Sequence, residues 1–386
     1  MGRVRAFTRA DIPQVAKLHP KVFTDSASPS AAYFEDVFLN SPCMDGPVSS
    51  VVYEQDNGAI TGFLGAVSRQ FRYRERLFRG TLLSQMMVSP SDRRNLVGLR
   101  LLRTVIDGPQ DFTLADLVNC AAHKHWRAVG AETIWIYSLR WTRILRSVPT
   151  RRLRKLLSRR RGPRLLKSAV GTICRVVDAC GEPLQRACLR PRPSRVVEVP
   201  IEEESMIAHA PVFVCRDCLR PEYSGSSLHW LLGRAATKRD YGELQQIGVR
   251  DSAGELIGWY LYYLKAGGLG RILQVCAGNG RMDDVLDSLF AHAWRHGVSS
   301  LVGRVEPHIV ETLGTRSDVR YSMMDIRMMV HTRNPELLAL IHRGKAFLTE
   351  LDGERIVGCQ GGEVHAVRDR PIAEFNSVGN ECALSR

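Results

Sequence analysis

The stretch QMMVSPSDRRNLVGLRLL, residues 85–102, decides the fold of this chain. Its first part continues an apolar run that predicts a strand over about 79–88, and its second part predicts a helix over about 95–107. The apolar residues of the helix recur on one face, at Leu96, Leu99, Leu102 and Val105 or Ile106. A strand therefore passes through a short turn directly into an amphipathic helix.

Strands and helices alternate on both sides of this junction. Before it we predict a strand at 3–7, a helix that begins near Thr8 or Asp11, and strands at 49–54 and 59–67; after it, a strand at 112–118, a helix at 120–129 and a strand at 132–140. The same order returns later, with strands at 244–250, 255–264, 270–277 and 299–305 and a helix at 282–296. We interpret the second series as another copy of the same fold, related in shape more than in sequence.

The chain has 386 residues, which exceeds one typical domain of roughly 100–200 residues. We predict an α/β (α+β) protein with two domains, each a mixed central sheet flanked by helices. The predicted segments are a first domain at 1–146, a basic helical linker at 147–198, a second domain at 199–355 and a disordered tail at 356–386.

The positive charge of the chain is concentrated in one segment. The net charge is +14, and residues 140–196 contain 17 Lys and Arg against two acids, whereas the rest has 37 basic and 38 acidic residues. Within this segment, residues 151–180 carry apolar side chains at helical spacing among basic ones. They fit a solvated helical linker, a patch on anionic lipid headgroups or a contact to a polyanion. Because aromatic residues for base stacking are nearly absent there, we do not favour a nucleic-acid partner.

The N-terminal residues lack the apolar core of a signal peptide, and no uncharged apolar run approaches the roughly 18–20 residues of a membrane span. We therefore expect a cytoplasmic protein, with peripheral contact to the inner membrane surface through residues 151–180 as an alternative. The ten cysteines show no framework spacing. Cys215 and Cys218 lack a second ligand pair at finger spacing, so we expect no metal site.

The strand-to-helix junction resembles the acetyl-CoA signature of the GNAT superfamily of N-acetyltransferases. That signature is a strand ending in V-x-P, followed by R/Q-x-x-G-x-G/A and a helix. Arg93 matches the R/Q position and Gly98 the final small residue, whereas Leu96 replaces the middle glycine. Backbone N–H groups in such a turn and at the helix N-terminus can bind a pyrophosphate, so side chains there must be small or turned away.

A second block supports the resemblance. NCAAHKHWRAVGA, residues 119–131, is similar to the N-x-x-A-x-x-x-Y-x-x-x-G-F block of GNAT domains, with Asn119, Ala122 and Gly130 in register. The resemblance implies acetyl-CoA, or another acyl-CoA, as cofactor. It implies backbone contacts to the pantetheine arm from Met87 and Val88, a phosphate cradle at Arg93, Arg94, Asn95, Leu96, Val97, Gly98 and Leu99, and a contact to the arm from Asn119.

The usual catalytic side chains of that superfamily are missing from their usual places. The strand GTLLSQMMV, residues 80–88, contains no Asp, Glu or His, and Trp126 stands where a tyrosine commonly serves as acid. The candidates that remain for proton transfer are Asp116, His123, Tyr137 and Glu75. Each also has a structural interpretation: Asp116 as a partner on a strand, His123 as a solvated helix residue and Tyr137 as a core residue.

The second copy departs further from the signature. Its equivalent turn, CAGNGRMDDVL at residues 276–286, places Asp283 and Asp284 where phosphates would lie. We expect this degenerate copy to bind no coenzyme A tightly and to shape an acceptor site or an interdomain cleft instead.

The sequence thus predicts an acyl-CoA-dependent N-acyltransferase that transfers acetyl or another short acyl group directly to an amine. The acceptor would be a small molecule or a cell-envelope precursor. Two alternatives remain open: a non-catalytic protein that binds coenzyme A or a membrane, and an aminoacyl-tRNA-dependent transferase of the Fem type, which the basic charge favours and the coenzyme A signature disfavours.

Overall fold

A computed structural model describes residues 2–24, 28–42, 48–146, 191–192 and 196–359 of the chain. The basic segment predicted at 151–180 and residues 360–386 of the predicted tail lie outside the described residues. The prediction of disorder is wrong for the start of that tail, because Ile356 and Val357 are helical and completely buried. The side chain of Arg94, predicted to contact phosphate, lies outside them as well.

The described residues form strands and helices in an alternating order. The strands are β1 Arg3–Ala6, β2 Val51–Glu54, β3 Ile60–Tyr73, β4 Arg76–Val88, β5 Phe112–Val118, β6 Glu132–Thr133, β7 Leu139–Ile144, β8 Val197–Pro200, β9 Arg220–Pro221, β10 Glu243–Arg250, β11 Leu256–Leu264, β12 Leu269–Ala277, β13 Ser300–Arg304, β14 Val319–Met323 and β15 Arg327–Thr332. The helices are α1 Ile12–Val22, α2 Ala31–Phe38, α3 Val97–Ile106, α4 Cys120–Ala128, α5 Glu203–Phe213, α6 Gly225–Ala236, α7 Met282–Arg295, α8 Pro307–Gly314, α9 Pro335–His342 and α10 Glu354–Val357.

The strands form two mixed sheets, and the predicted α/β fold class is confirmed. The first sheet has the order β1-β2-β3-β4-β5-β15-β6, with β9 paired to β3, and the second has the order β8-β10-β11-β12-β13-β7-β14. In each sheet one central pair is parallel, β4 with β5 and β12 with β13, and the other pairs are antiparallel. The two orders correspond strand by strand, which agrees with the interpretation of a repeated fold.

The sixth strand of each sheet comes from the other half of the chain. Strand β7 lies between β13 and β14 of the second sheet, and β15 lies between β5 and β6 of the first. Both strands are anchored by buried apolar residues, Trp141 in β7 and Met329 in β15. Each sheet therefore includes a strand from outside the sequence range predicted for its domain, and the domain boundaries stay a prediction.

The prediction of one strand over 132–140 is wrong. Strand β6 has two residues, a short 3-10 helix follows at Ile136–Ser138, and β7 begins only at Leu139. The break exists because the chain crosses here from the first sheet to the second. The side chain of Ser138 stabilises the crossing, since its Oγ donates a hydrogen bond to the Ile134 carbonyl.

Helix α3 packs closely on the first sheet, which fixes the junction that precedes it. Val97, Leu101 and Leu102 are buried against the sheet. Gly62 in β3 permits this contact, because a Cβ atom at that position would lie 2.8 Å from Val97 Cγ1. Among the helices of the described ranges, none has both the length and the apolar character needed to cross a membrane.

Buried ion pairs join the two halves. Arg304 of β13 donates a hydrogen bond from Nη1 to Asp116 Oδ2 of β5 at 2.8 Å. Arg69 of β3 donates a hydrogen bond from Nη1 to Asp352 Oδ1 at 2.8 Å. All four side chains are almost completely buried, so the segment around residue 352 is tied into the first sheet by charge as well as by packing.

Candidate functional site

Strands β4 and β5 separate after a short parallel pairing. The pairing runs from Gly80 with Phe112 to Leu82 with Leu114 and does not continue. Beyond it, the register between β3 and β4 shifts and Gln85 adopts a left-handed backbone with φ of +56°. Such a bulge bends a strand, and this one contributes to the V-shaped opening between β4 and β5.

A cavity of 150 Å³ occupies this opening. Its wall is mainly apolar and includes Trp126, which replaces the tyrosine of the resemblance. The polar residues at the wall are Ser84, Gln85, Asn119, Tyr241, Glu354 and Arg355. Small-molecule sites typically combine an apolar wall with a few converging polar groups, so this cavity is the candidate site.

The turn before α3 has the geometry of an anion cradle. Residues Pro90–Asn95 form a 3-10 helix, and the exposed Leu96 then starts α3. The loop is held from within, since Asp92 accepts hydrogen bonds from Gln55 Nε2 at 2.8 Å and from Asn95 Nδ2 at 3.0 Å. The first N–H groups of a helix have no partner within the helix, so the start of α3 can donate to a phosphate.

The residues around this turn fit a diphosphate. Arg93 is exposed and makes no salt bridge within the described ranges. Gly98 is buried at the helix start, and a Cβ atom there would lie 3.6 Å from both Val88 Cγ2 and His125 Nε2. The Leu96 side chain is 59% exposed and does not fill the cradle. The departure from the signature at Leu96 therefore leaves the backbone accessible.

Leu96 has a left-handed conformation, with φ of 55° and ψ of 22°, which explains why the signature has a glycine there. This conformation costs a residue with a Cβ atom about 1–2 kcal/mol. We expect Leu96→Gly to raise the free energy of unfolding by about 1 kcal/mol, measured by urea denaturation. Leu99→Gly, in the interior of α3, is the matched control and should lower it by about 1 kcal/mol or more. A lower free energy of unfolding for Leu96→Gly would contradict the conclusion that the backbone of Leu96 is strained.

Asn119 is placed where the cofactor's arm is predicted, but its side chain also caps α4. Its Oδ1 accepts a hydrogen bond from the Ala122 N–H at 2.9 Å. Its Nδ2 can still donate to a ligand in the cavity. Met87, by contrast, is fully buried and pairs with Phe63 of β3, so its side chain is not available to the opening; the predicted backbone contact to the arm stays a prediction.

The structure does not bring the predicted catalytic residues together. Asp116 is bound by Arg304 and by the Glu354 N–H, which leaves its carboxylate satisfied. Tyr137 is fully buried and donates to the Ala346 carbonyl, and burial raises its pKa far above the usual range. These contacts describe structural roles for both residues.

The two other candidates lie away from the cavity wall. His123 Nε2 is 3.0 Å from Thr133 Oγ1, and burial lowers the pKa of His123. Glu75 is exposed in the turn between β3 and β4, at the end of these strands opposite to the opening. Neither residue lines the cavity within the described ranges.

Glu354 is the carboxylate that the cavity does contain. Its Oε1 accepts hydrogen bonds from the N–H groups of Asp116 and Leu117 at 3.0 Å, beyond the parallel pairing of β5. Burial, with a smaller effect of the nearby Asp116 carboxylate, raises the pKa of Glu354 to about 8. A carboxyl group with this pKa can take up a proton near neutral pH.

The segment that carries Glu354 is fixed at both ends. At its start, Gly353 contacts the Asp116 carboxylate so closely that a Cβ atom would overlap it. At its end, the carbonyl of Val357 accepts from Tyr33 Oη at 3.1 Å, and that of Gly358 accepts from Lys238 Nζ. Sequence analysis missed this segment; the only local signal was a run of acids within the apolar stretch 348–357.

A second cavity, of 470 Å³, lies where β12 and β13 separate. It is lined by Gly278 and Gly280 of the predicted turn and by Asp283 at the start of α7. Asp283 accepts a hydrogen bond from Arg316 Nη2 at 2.7 Å. An acid at a helix N-terminus stabilises the helix but disfavours a phosphate there. That the second copy binds no coenzyme A tightly stays a prediction.

No family model and no curated protein matches this chain. Solved structures with a similar fold include a protein of unknown function from Enterococcus faecalis described as a probable N-acyltransferase, with a TM-score of 0.57, 12% identity and coverage of 86% of this chain and 73% of that one. A GCN5-related N-acetyltransferase from Anabaena variabilis has a TM-score of 0.55 at 11% identity over 87% and 74% of the two chains. One from Kribbella flavida has a TM-score of 0.50 at 13% identity over 86% and 71%. Identities this low show the fold alone. The fold is that of the GCN5-related N-acetyltransferases, as the strand-to-helix junction predicted.

Proposed function

We propose that this protein is an acyl-CoA-dependent N-acyltransferase that transfers an acyl group, acetyl in the simplest case, directly to an amine. One observation carries the proposal: the carboxyl group of Glu354 lies at the wall of the cavity between the diverging strands β4 and β5. The fold of the N-acetyltransferases supports the same reaction class.

The residues of the first half would hold the donor. Main-chain N–H groups at residues 93–99 and the Arg93 guanidinium would bind the diphosphate. The pantetheine arm would pair with the free backbone edge of β4 at Met87 and Val88 and with the side-chain amide of Asn119. Bound there, an acyl-CoA supplies an activated thioester, whose acyl group would lie near the bulge at Gln85.

Glu354 would accept the proton of the attacking amine. Its Oε1 is held by two main-chain N–H groups, which fixes the direction of the carboxylate. The mainly apolar wall around it disfavours a charged amine, so the amine would enter uncharged or lose its proton to this group. Since Trp126 cannot donate a proton, the leaving thiolate would be protonated by solvent or by the protonated Glu354.

The acceptor is a small-molecule or envelope-precursor amine in this proposal. We propose a cytoplasmic location, with residues 151–180 attracting the protein to anionic lipid when the acceptor is membrane-bound. Liposome sedimentation at low and high salt tests this attachment, because an electrostatic contact weakens as salt rises.

The test of function combines binding and turnover on the full chain. Titration calorimetry should show one acetyl-CoA site per chain, and release of the free thiol should depend on an added amine. Two equivalent sites would contradict the degenerate second copy. Binding without thiol release from any amine in a broad pool would favour the non-catalytic alternative, and binding of aminoacyl-tRNA in place of acetyl-CoA would favour the Fem-type alternative.

The raised pKa of Glu354 predicts the pH dependence of the reaction. Only the ionised form accepts a proton, so kcat/KM should rise with pH and level off above about 8. The acceptor in this measurement should be an aromatic amine, which stays unprotonated across the range. A flat profile between pH 6 and about 9 would contradict the assignment of Glu354 as base.

A further inference from the structure

A thiol lies beside the cavity, at the end of the segment that carries Glu354. Gly358 lines the cavity and Cys359 follows it directly. Cys359 Sγ is 3.3 Å from Oε1 of Gln85, the residue whose bulge opens β4. The thiol is therefore close to the position at which the proposed function places the acyl group.

His19 of α1 contacts this thiol from the other side. Its Nε2 is 3.2 Å from Cys359 Sγ, and the side chain is completely buried. Its Nδ1 has no hydrogen-bond partner among the described residues. Because a buried polar atom without a partner costs about 1–3 kcal/mol, packing alone does not explain a histidine here. A thiol with an imidazole in hydrogen-bond reach is the arrangement of an activated nucleophile.

We propose that Cys359 is itself an acyl acceptor, which takes the acyl group from the thioester donor and holds it as an acyl-cysteine. This inference rests on the proposed function, since the donor must occupy the cavity. It adds a covalent modification site that direct transfer to an amine does not require.

The transfer balances without an oxidant or a reductant. The Cys359 thiol, which donates to Gln85 Oε1, turns to His19 Nε2, and its proton moves to that nitrogen as the sulfur forms a bond to the acyl carbonyl carbon. The bond between that carbon and the sulfur of coenzyme A breaks, and that sulfur takes the proton from His19. One thioester replaces another, and free coenzyme A leaves.

The surroundings make this step slower than an ordinary thiolate attack. Burial raises the pKa of Cys359 to about 11, so the sulfur is protonated at neutral pH and needs His19 as base. Lys238 Nζ holds the preceding carbonyl of Gly358 and keeps the thiol in place. We therefore expect acylation on the scale of minutes when no amine competes.

Intact-mass spectrometry of the full chain with acetyl-CoA and no amine tests the inference. We expect the gain of one acetyl group per chain, located at Cys359 by peptide mapping and removed by neutral hydroxylamine, which cleaves thioesters. Cys359→Ser should lose the hydroxylamine-labile label. No gain in mass, or a label located elsewhere, would overturn the inference.

Two further variants and two further measurements separate the causes. Cys215→Ser removes an exposed thiol at the second cavity and should keep the label, whereas His19→Gln should slow labelling at least tenfold. Acetyl-CoA affinity, measured by calorimetry, should stay unchanged in all of them, which excludes misfolding. Amine turnover is followed in the same samples: turnover without labelling refutes only the acyl-cysteine, and labelling without turnover refutes only the amine transferase.

Discussion

Glu354→Gln should lower kcat/KM for amine acylation by about 10²–10⁴-fold, the usual contribution of a positioned general base. Glutamine has the shape of glutamate, and its Oε1 can still accept the N–H groups of Asp116 and Leu117 that hold Glu354 now. The variant should therefore fold and bind acetyl-CoA with unchanged affinity. Steady-state thiol release and titration calorimetry measure the two effects separately.

The matched control for this variant is Glu75→Gln. Glu75 is exposed in the turn between β3 and β4, so the same chemical change there should leave kcat/KM unaltered. If Glu354→Gln retained wild-type kcat/KM while binding acetyl-CoA normally, the proton would have to go to water or to another group. The assignment of Glu354 as base would then be wrong.

Arg304→Met should lower the free energy of unfolding by about 3–5 kcal/mol, because it leaves the Asp116 carboxylate buried without its counter-charge. The side chains of Arg304 and Asp116 are 3% and 2% exposed, so solvent cannot replace the lost partner. Arg304 also donates from Nη2 to the Leu348 carbonyl, which would lose its hydrogen bond. Urea denaturation measures the change.

Two comparisons identify the buried charge as the cause. The double variant Asp116→Asn/Arg304→Met should be more stable than Arg304→Met alone, because the amide carries no charge. Arg74→Met removes an exposed partner of Asp217 and should change stability little. Equal losses in Arg304→Met and Arg74→Met would mean that burial does not set the strength of the Asp116 pair.

The sequence predicted well the elements whose information is local. The strand predicted at 79–88 and the helix at 95–107 appear as β4 and α3, with ends that differ by no more than three residues. Hydrophobic periodicity and a turn motif determine such elements within a short window. The same window is the basis for predicting a phosphate cradle at residues 93–99 despite Leu96.

The side chains at the cavity could not be predicted in the same way. Glu354 bonds the backbone of β5 across 238 residues of sequence, and Cys359 meets His19 across 340. Nothing in the local pattern of either residue indicates its partner, because the contact depends on how the last segment packs between the sheets. The candidates chosen from sequence were those near the motifs, and Asp116 and Tyr137 among them have structural contacts.

The exchange of β7 and β15 was not predicted for a related reason. Strand β7 alternates between buried and half-buried residues, and β15 has a run of three buried residues, Met328 to Val330; such patterns specify burial but not a neighbouring strand. Which edge receives the strand depends on the path of the chain after Thr133 and after Met323.

The reciprocal exchange limits how the protein can move and how it can be divided. A hinge motion that moved the sheets apart would have to break the pairing of β15 with β5, or that of β7 with β13. We therefore expect substrates to enter through smaller rearrangements of loops and side chains. A fragment restricted to residues 199–355 would retain β13 and β14 with an empty slot between them. Unpaired backbone groups at such a gap favour aggregation, so the fragment should aggregate when expressed alone. The intact chain should unfold in one cooperative transition.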